Sequence, residues 1–201
     1  MGYNPFTIKL DSGKVIGAED FVDRQIWSGA NIASSASADV TLFKFTKGES
    51  VAATGTGSAV TADFRHTNVQ HGGTMPQTDG IEIRTLAYEL PPDVALAALV
   101  QLSERIWTEL YFGSDRPVYS FLARHAPAGT GLWGVTTATA TSMYNIGMPD
   151  PTHRLKFNIP LGIRPGDHYR ADIRIQGGAM TTAAADVFMR LVLRGSGPTA
   201  L

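Results

Sequence analysis

The chain has 201 residues, a formal net charge of −1 and 17% charged residues, against roughly 25% in ordinary soluble domains. That balance argues against a polyanion binder working through bulk electrostatics, so no direct nucleic-acid binding is expected. Cysteine is absent, which excludes disulfides, thiolate metal sites and cysteine nucleophiles.

The length suits one domain, residues 1–201, with a proper hydrophobic core. Sparse charge fits a surface covered by neighbouring subunits, since interface centres are depleted in charge; a small-residue-rich solvent surface is the other reading. Met1 to Phe6 has no basic stretch followed by an apolar run, so it does not read as a secretory signal. Phe6 also stands where a myristoylation motif wants Ser or Thr. The longest apolar run, Val94 to Val100, falls far short of a bilayer span. A soluble chain is expected, with membrane contact left open.

Taken in chain order, Phe6, Ile8 and Leu10 alternate with Thr7, Lys9 and Asp11, the period of a half-buried strand. Further strands are expected over Arg24 to Trp27, Val40 to Thr46, Val60 to Phe64 and Ile81 to Leu90. Between the last two lies a polar, turn-rich stretch, Phe64 to Leu86, with a Gly72-Gly73 pair expected to reverse the chain through a positive φ. Pro91-Pro92 stops the strand, and Asp93 is placed to cap a helix over about residues 93–111. Leu96, Leu99, Val100, Ile106, Trp107 and Leu110 recur at helical spacing, and Gly113 is the expected stop. The helix is expected to cover one end of the core; its polar back is not basic, which disfavours a membrane-surface role.

After a strand over Val118 to Arg124, Leu155, Phe157, Ile159, Leu161 and Ile163 alternate with polar neighbours. A turn, Arg164-Pro165-Gly166-Asp167, follows, and alternation resumes at Tyr169, Ala171, Ile173 and Ile175. These two segments are expected to form an antiparallel hairpin, with Pro160 at an edge or bulge. Val187, Met189, Leu191 and Leu193 make a last strand with Arg190 and Arg194 facing out. Leu155, Phe157, Ile159, Leu161, Ile173, Ile175, Leu191 and Leu193 are expected to share one core. Eight or nine short strands separated by Gly, Pro and Ser-rich turns read as a sandwich or barrel.

Catalytic chemistry finds little support. His66 and His71 are five apart on a turn with only Asp63 and Asp79 nearby, which is no recurring metal-ligand spacing. His125, His153 and His168 stand singly at strand ends. Gly55-Thr56-Gly57-Ser58-Ala59 fails the nucleophile-elbow pattern. Glu82, Glu89, Glu104 and Glu109 are carboxylates without a pairing signal. Gly72-Gly73 and Gly177-Gly178 lack the strand-to-helix context and the Lys of a phosphate loop. Trp133 lies in a loop, as an interface, ligand or packing residue. The expectation is therefore no enzyme, with no catalytic, cofactor-binding or metal residue and no cofactor. Four small-residue segments, Ser28 to Ala38, Val51 to Ala62, Val135 to Ser142 and Gly177 to Ala185, read as loops or edges that other chains can approach closely.

Within Phe64 to Leu86, the residues Thr67-Asn68, Gly72-Gly73 and Met75-Pro76, leading into a strand, form a recognisable pattern. It resembles the Thr-Asn-Met, Gly-Gly, hydrophobic-Pro pattern of capsid proteins from tailless icosahedral phages with jelly-roll shells. Val69 departs from it where that family often has methionine, and many members are long enough for two jelly rolls while this chain holds one. The resemblance implies an all-β fold, a single jelly-roll β-sandwich with the one inserted helix. It implies a structural capsid protein of the virion shell, made in the host cytoplasm, whose partners are copies of itself and a possible second capsid protein. The alternative is a ligand- or carbohydrate-binding jelly-roll module with a receptor-binding role.

Overall fold

The computed structural model describes residues 8–9, 15–16, 21–32, 39–51, 60–64, 66–77, 79–90, 96–126, 154–178 and 187–198. Four short strands, β1 (Ile8–Lys9) with β2 (Val15–Ile16) and β5 (Ser50–Val51) with β6 (Val60–Thr61), form two small ribbons. The remaining strands are β3 (Phe21–Ile32), β4 (Val40–Leu42), β7 (Ile81–Glu89), β8 (Ile106–Phe112), β9 (Tyr119–Leu122), β10 (Leu155–Ile163), β11 (Tyr169–Ile175) and β12 (Val187–Pro198). They build two four-stranded antiparallel sheets, ordered β3-β12-β7-β10 and β4-β11-β8-β9. Lettered B to I in chain order, these are the BIDG and CHEF sheets of a jelly roll. The fold is a β-sandwich with one short helix, α1 (Leu96–Arg105).

The core lies between the sheets. Ile83, Leu86, Leu191 and Leu193 from the first sheet meet Leu42, Ile106, Leu110 and Ile173 from the second, all almost fully buried. One buried hydrogen bond ties the layers, between the Tyr88 hydroxyl on β7 and Thr108 Oγ1 on β8, 2.5 Å apart. Burial pushes the Tyr88 phenol well above its ordinary range, and the Thr108 bond opposes that shift only in part. Thr108→Val preserves shape but orphans the phenol. It is expected to cost about 1–3 kcal/mol in urea unfolding, whereas the double variant Tyr88→Phe with Thr108→Val should recover most of the loss.

Three expectations are corrected. First, the helix ends at Arg105 and the chain passes directly into β8. Ile106 and Leu110 are four apart, a spacing that puts both on one face in a helix and in a strand alike. The β-branched and aromatic residues of Ile106 to Phe112 decide for the strand, where Ile106, Thr108, Leu110 and Phe112 point inward. The buried face of the helix is Ala98, Leu102 and Ser103, while Val100 of the expected stripe is 44% exposed. Arg105 fastens the junction through Nε to the Gln176 carbonyl (2.8 Å), and the Arg105 carbonyl accepts the Gln176 N–H (2.9 Å). Gly113, at φ 60, ends a strand instead of a helix. Pro91, Pro92 and Asp93 lie outside the described residues.

Second, β10 and β11 are not a hairpin. The former pairs with β7 and the latter with β4 and β8, so the turn between them carries the chain from one sheet to the other. Its chemistry is as expected, with Gly166 at φ 80 and the Arg164 N–H donating to Asp167 Oδ2 at 3.0 Å. Alternation reports which face of a strand is buried, not which strand lies beside it. Third, Ile159 is 81% exposed. Between Lys156 and Leu161 the register slips: β10 advances five positions while β7 advances two. The slip throws Ile159 and Pro160 out of the pleat, on an edge strand where the missing proline N–H is tolerated. Ile173, Leu191 and Leu193 are fully buried, and Leu155, Phe157, Leu161 and Ile175 pack partly buried against the core.

Candidate functional surface

The stretch that the sequence singles out is a lace between the two sheets. β3 is an edge strand of its sheet, and an open edge is a template for unwanted pairing. Thr67 and Asn68 cover it. Asn68 Oδ1 accepts the Trp27 N–H (2.8 Å), and Asn68 Nδ2 donates to the Gln25 carbonyl (2.7 Å). The Thr67 hydroxyl donates to the Trp27 carbonyl (3.2 Å) and accepts the Val69 N–H (3.0 Å). The Gly29 N–H reaches the His66 carbonyl at 2.7 Å, and Ser28 and Thr67 form a single β-bridge. A side-chain amide that donates and accepts at once suits this role, because a strand edge offers N–H and C=O in alternation. Asn68→Ala removes both bonds. It is expected to cost about 1–3 kcal/mol and to speed hydrogen exchange at Trp27 selectively.

Past Gln70 the chain turns to the other sheet. Gly73, at φ 65, donates its N–H to the Phe43 carbonyl (2.7 Å) and accepts the Tyr169 N–H (2.8 Å). The positive φ expected of the glycine pair therefore falls on Gly73. Gly72 is needed for another reason: a Cβ there would sit 2.3 Å from the Lys44 carbonyl oxygen. Thr74 and His168 form a β-bridge, and the Met75 N–H donates to the Asp167 carbonyl (2.9 Å). Val69 and Met75 seal the lace against the core, with 4% and 3% exposure.

Where these loops meet the end of β8 lies an open cleft of about 690 Å³. Lys44, Tyr111, Asp115, His168 and Arg170 contribute to its walls. Arg170 stacks on Tyr111 with its guanidinium carbon 4.1 Å from the ring centre and also bonds Asp172 Oδ2 at 3.3 Å. The Tyr111 hydroxyl donates to Glu109 Oε2 (2.8 Å), which also takes Arg174 Nε (2.7 Å). The Arg174 bond first, then the Tyr111 bond, hold the Glu109 carboxyl below its usual range. Tyr169, beside the cleft, turns its ring into the core against Phe43, and burial pushes its phenol up to about 12. Sequence reading misses this grouping because its members come from three separate segments and share no local spacing.

The histidines separate. His66 is buried, with Nδ1 2.7 Å from Asp63 Oδ1 and its ring edge-on to Phe188, while His71 is exposed. Among the described residues no three His, Cys, Asp or Glu side chains gather where they could hold a metal. His168 Nδ1 lies 3.0 Å from the Thr74 hydroxyl, the side-chain accompaniment of their β-bridge. His125 is exposed in the 3-10 turn after β9. Gly55 to Ser58, Trp133, Val135 to Ser142 and His153 lie outside the described residues, while Ser28 to Ile32, of another small-residue segment, belong to β3. No protein-family model matches the chain, and a search of curated proteins returns no match.

Proposed function

We propose that this chain is a structural subunit of a virus shell, the single-jelly-roll capsid protein of a tailless icosahedral phage. It would assemble with copies of itself or with a sister shell protein, by contacts and not by catalysis. The observation that carries the reading is the position of Thr67-Asn68, Gly72-Gly73 and Met75-Pro76. The residues behind the capsid resemblance are those that lace the B strand edge to the H strand of the jelly roll. A lace of this kind stiffens the subunit and closes an edge against stray pairing. The low charge supports the reading, because subunit contacts then desolvate few ions. Jelly rolls also serve as lectins and cupins, so the fold alone does not decide.

The test is assembly. Light scattering and electron microscopy of the purified protein should find rings, sheets or shells, formed by the chain alone or after adding its co-purified partner. Charges introduced at Ala53, Thr139 or Ala183, all outside the described residues, should impair assembly while the subunit still folds. A protein that stays monomeric in concentrated solution and is absent from purified particles overturns the reading. A glycan bound by that monomer in the cleft beside Tyr111 and Arg170 would establish the binding-module alternative.

A further inference from the structure

The outer face of the first sheet holds an unusual concentration of guanidinium groups. Arg84 on β7, Arg194 on β12 and Arg154 just before β10 bring their side chains to one concavity of about 280 Å³, which Arg24 on β3 also borders; among the described residues Asp23 is its only acidic lining residue. Three neighbouring strands of the sheet, β10, β7 and β12, or the residue leading into one, thus bring an arginine to the same place.

Compensation of these charges is uneven. Arg24 is paired with Asp79 at 3.1 Å, outside the concavity, and Arg84 reaches Glu82 only at 3.8 Å. Glu89 is shared: its Oε2 is taken by both Nε and Nη2 of Arg190, leaving Oε1 for Arg194 Nη2 at 3.3 Å. Arg194 Nε is buried without a hydrogen-bond partner. Arg154 makes no ion pair or hydrogen bond among the described residues. Desolvation first, and then the charge of Arg194, hold it below the ordinary arginine range. Two partly buried cations therefore line one concavity, and part of one carboxylate, bonded to Arg194, offsets their charge; an anion entering the concavity would offset the rest.

The backbone supports the same reading. The register between β12 and β7 slips at Arg194 and Gly195, and a bulge re-aims the side chains on either side of it. Thr85 and Ser196 add hydroxyl groups to the lining. Hydroxyls beside guanidinium forks are the donor set of a tetrahedral oxyanion.

We infer that this concavity is a binding site for a phosphate group, held by Arg154 and Arg194 with Arg84 at the rim. A free phosphate or a terminal phosphomonoester fits a compact pocket fed from three neighbouring strands. A nucleic-acid strand would need a long groove that tracks its backbone. The inference goes beyond the capsid reading and does not depend on it.

The experiment is titration of inorganic phosphate into the whole protein, in a phosphate-free buffer, by calorimetry and by thermal shift. Saturable binding at millimolar or lower concentration is expected, with Arg154→Gln weakening it about tenfold or more and Arg154→Lys weakening it less. Arg154 bonds to nothing among the described residues, so its replacement should leave the fold intact, which circular dichroism checks. Arg174→Gln, on the other sheet, should bind as the wild type does. No saturation, or equal affinity in Arg154→Gln, overturns the site. So does an oligonucleotide that binds through Arg154 while free phosphate neither binds nor competes, since the face would then be a backbone tract and not a phosphate pocket.

Discussion

Replacing Phe43 with alanine is expected to lower the unfolding free energy by about 3–5 kcal/mol, and replacing it with glycine should cost no more. The first half follows from burial. The Phe43 side chain is 0% exposed and tilts against Tyr169 with ring centres 5.7 Å apart, beneath the lace. Emptying that space leaves a cavity beside the Tyr169 ring, in the core of the sandwich. The second half follows from backbone conformation. Phe43 is the one non-glycine among the described residues with a positive φ, 66°. An L-residue there bears a penalty of roughly 1–2 kcal/mol, which alanine keeps and glycine does not. Glycine ordinarily loses about 0.5–1 kcal/mol to alanine through chain entropy, so here the usual order should close or invert. Urea unfolding of both variants, followed by fluorescence and circular dichroism to check two-state behaviour, measures it. Alanine more stable than glycine by the ordinary margin would show that position 43 is not held in the left-handed region.

The strain at Phe43 has a visible purpose. β4 ends at Leu42, short of the strand expected to Thr46, because the left-handed residue turns the chain aside. The turn presents the Phe43 carbonyl to Gly73 N–H and brings the Lys44 carbonyl close over Gly72. The phase of the alternation slips here, from Val40 and Leu42 to Phe43 and Phe45, so the sequence does mark a break between Leu42 and Phe43. The left-handed conformation itself is set by tertiary contacts and leaves no mark on the local pattern.

The rest of the fold divides on the same physical line. Period-2 alternation reads single strands well, so β11 and β12 stand where their alternation puts them. It fails where two periods coincide, as at Ile106 and Leu110, and where an insertion shifts the pleat, as at Ile159. It is silent on partners, which is why β10 and β11 read as a hairpin although they belong to different sheets. The Thr67 to Pro76 segment was legible as turn chemistry, because Gly, Asn and Pro act locally. Its work as an edge cover was not, because the edge belongs to β3, some forty residues away. The arginine concavity was illegible for the same reason. Arg84, Arg154 and Arg194 sit on or next to three strands whose order along the sheet differs from their order along the chain.

Gly195→Ala is expected to cost about 3 kcal/mol or more, the upper end for overpacking, and Gly195→Val to prevent stable folding. At the bulge between β12 and β7, a Cβ on Gly195 would lie 1.8 Å from the Glu82 carbonyl oxygen, 2.6 Å from its carbon and 2.9 Å from Ile83 Cα. All three are backbone atoms inside a hydrogen-bonded sheet, so no side chain can swing away to make room. The strands must part, and they part beside Leu193 and Ile83, both fully buried. Hydrogen exchange should show the damage as lost protection at Glu82, Ile83 and Ser196, with the register from Arg190 to Arg194 against Glu89 to Thr85 kept. Gly162 on β10 is the control. Nothing lies within 4 Å of a Cβ placed there, and its φ is outside the left-handed range. Alanine at Gly162 should be neutral or stabilising by up to about 1 kcal/mol through the unfolded chain. A Gly195→Ala protein as stable as the wild type would mean that the strands sit further apart at the bulge than the geometry requires. Arg194 would then lose the backbone step that aims it. A Gly195→Ala protein that folds but is weakened should also bind phosphate less tightly, since the substitution displaces the residue next to Arg194 without touching a charge.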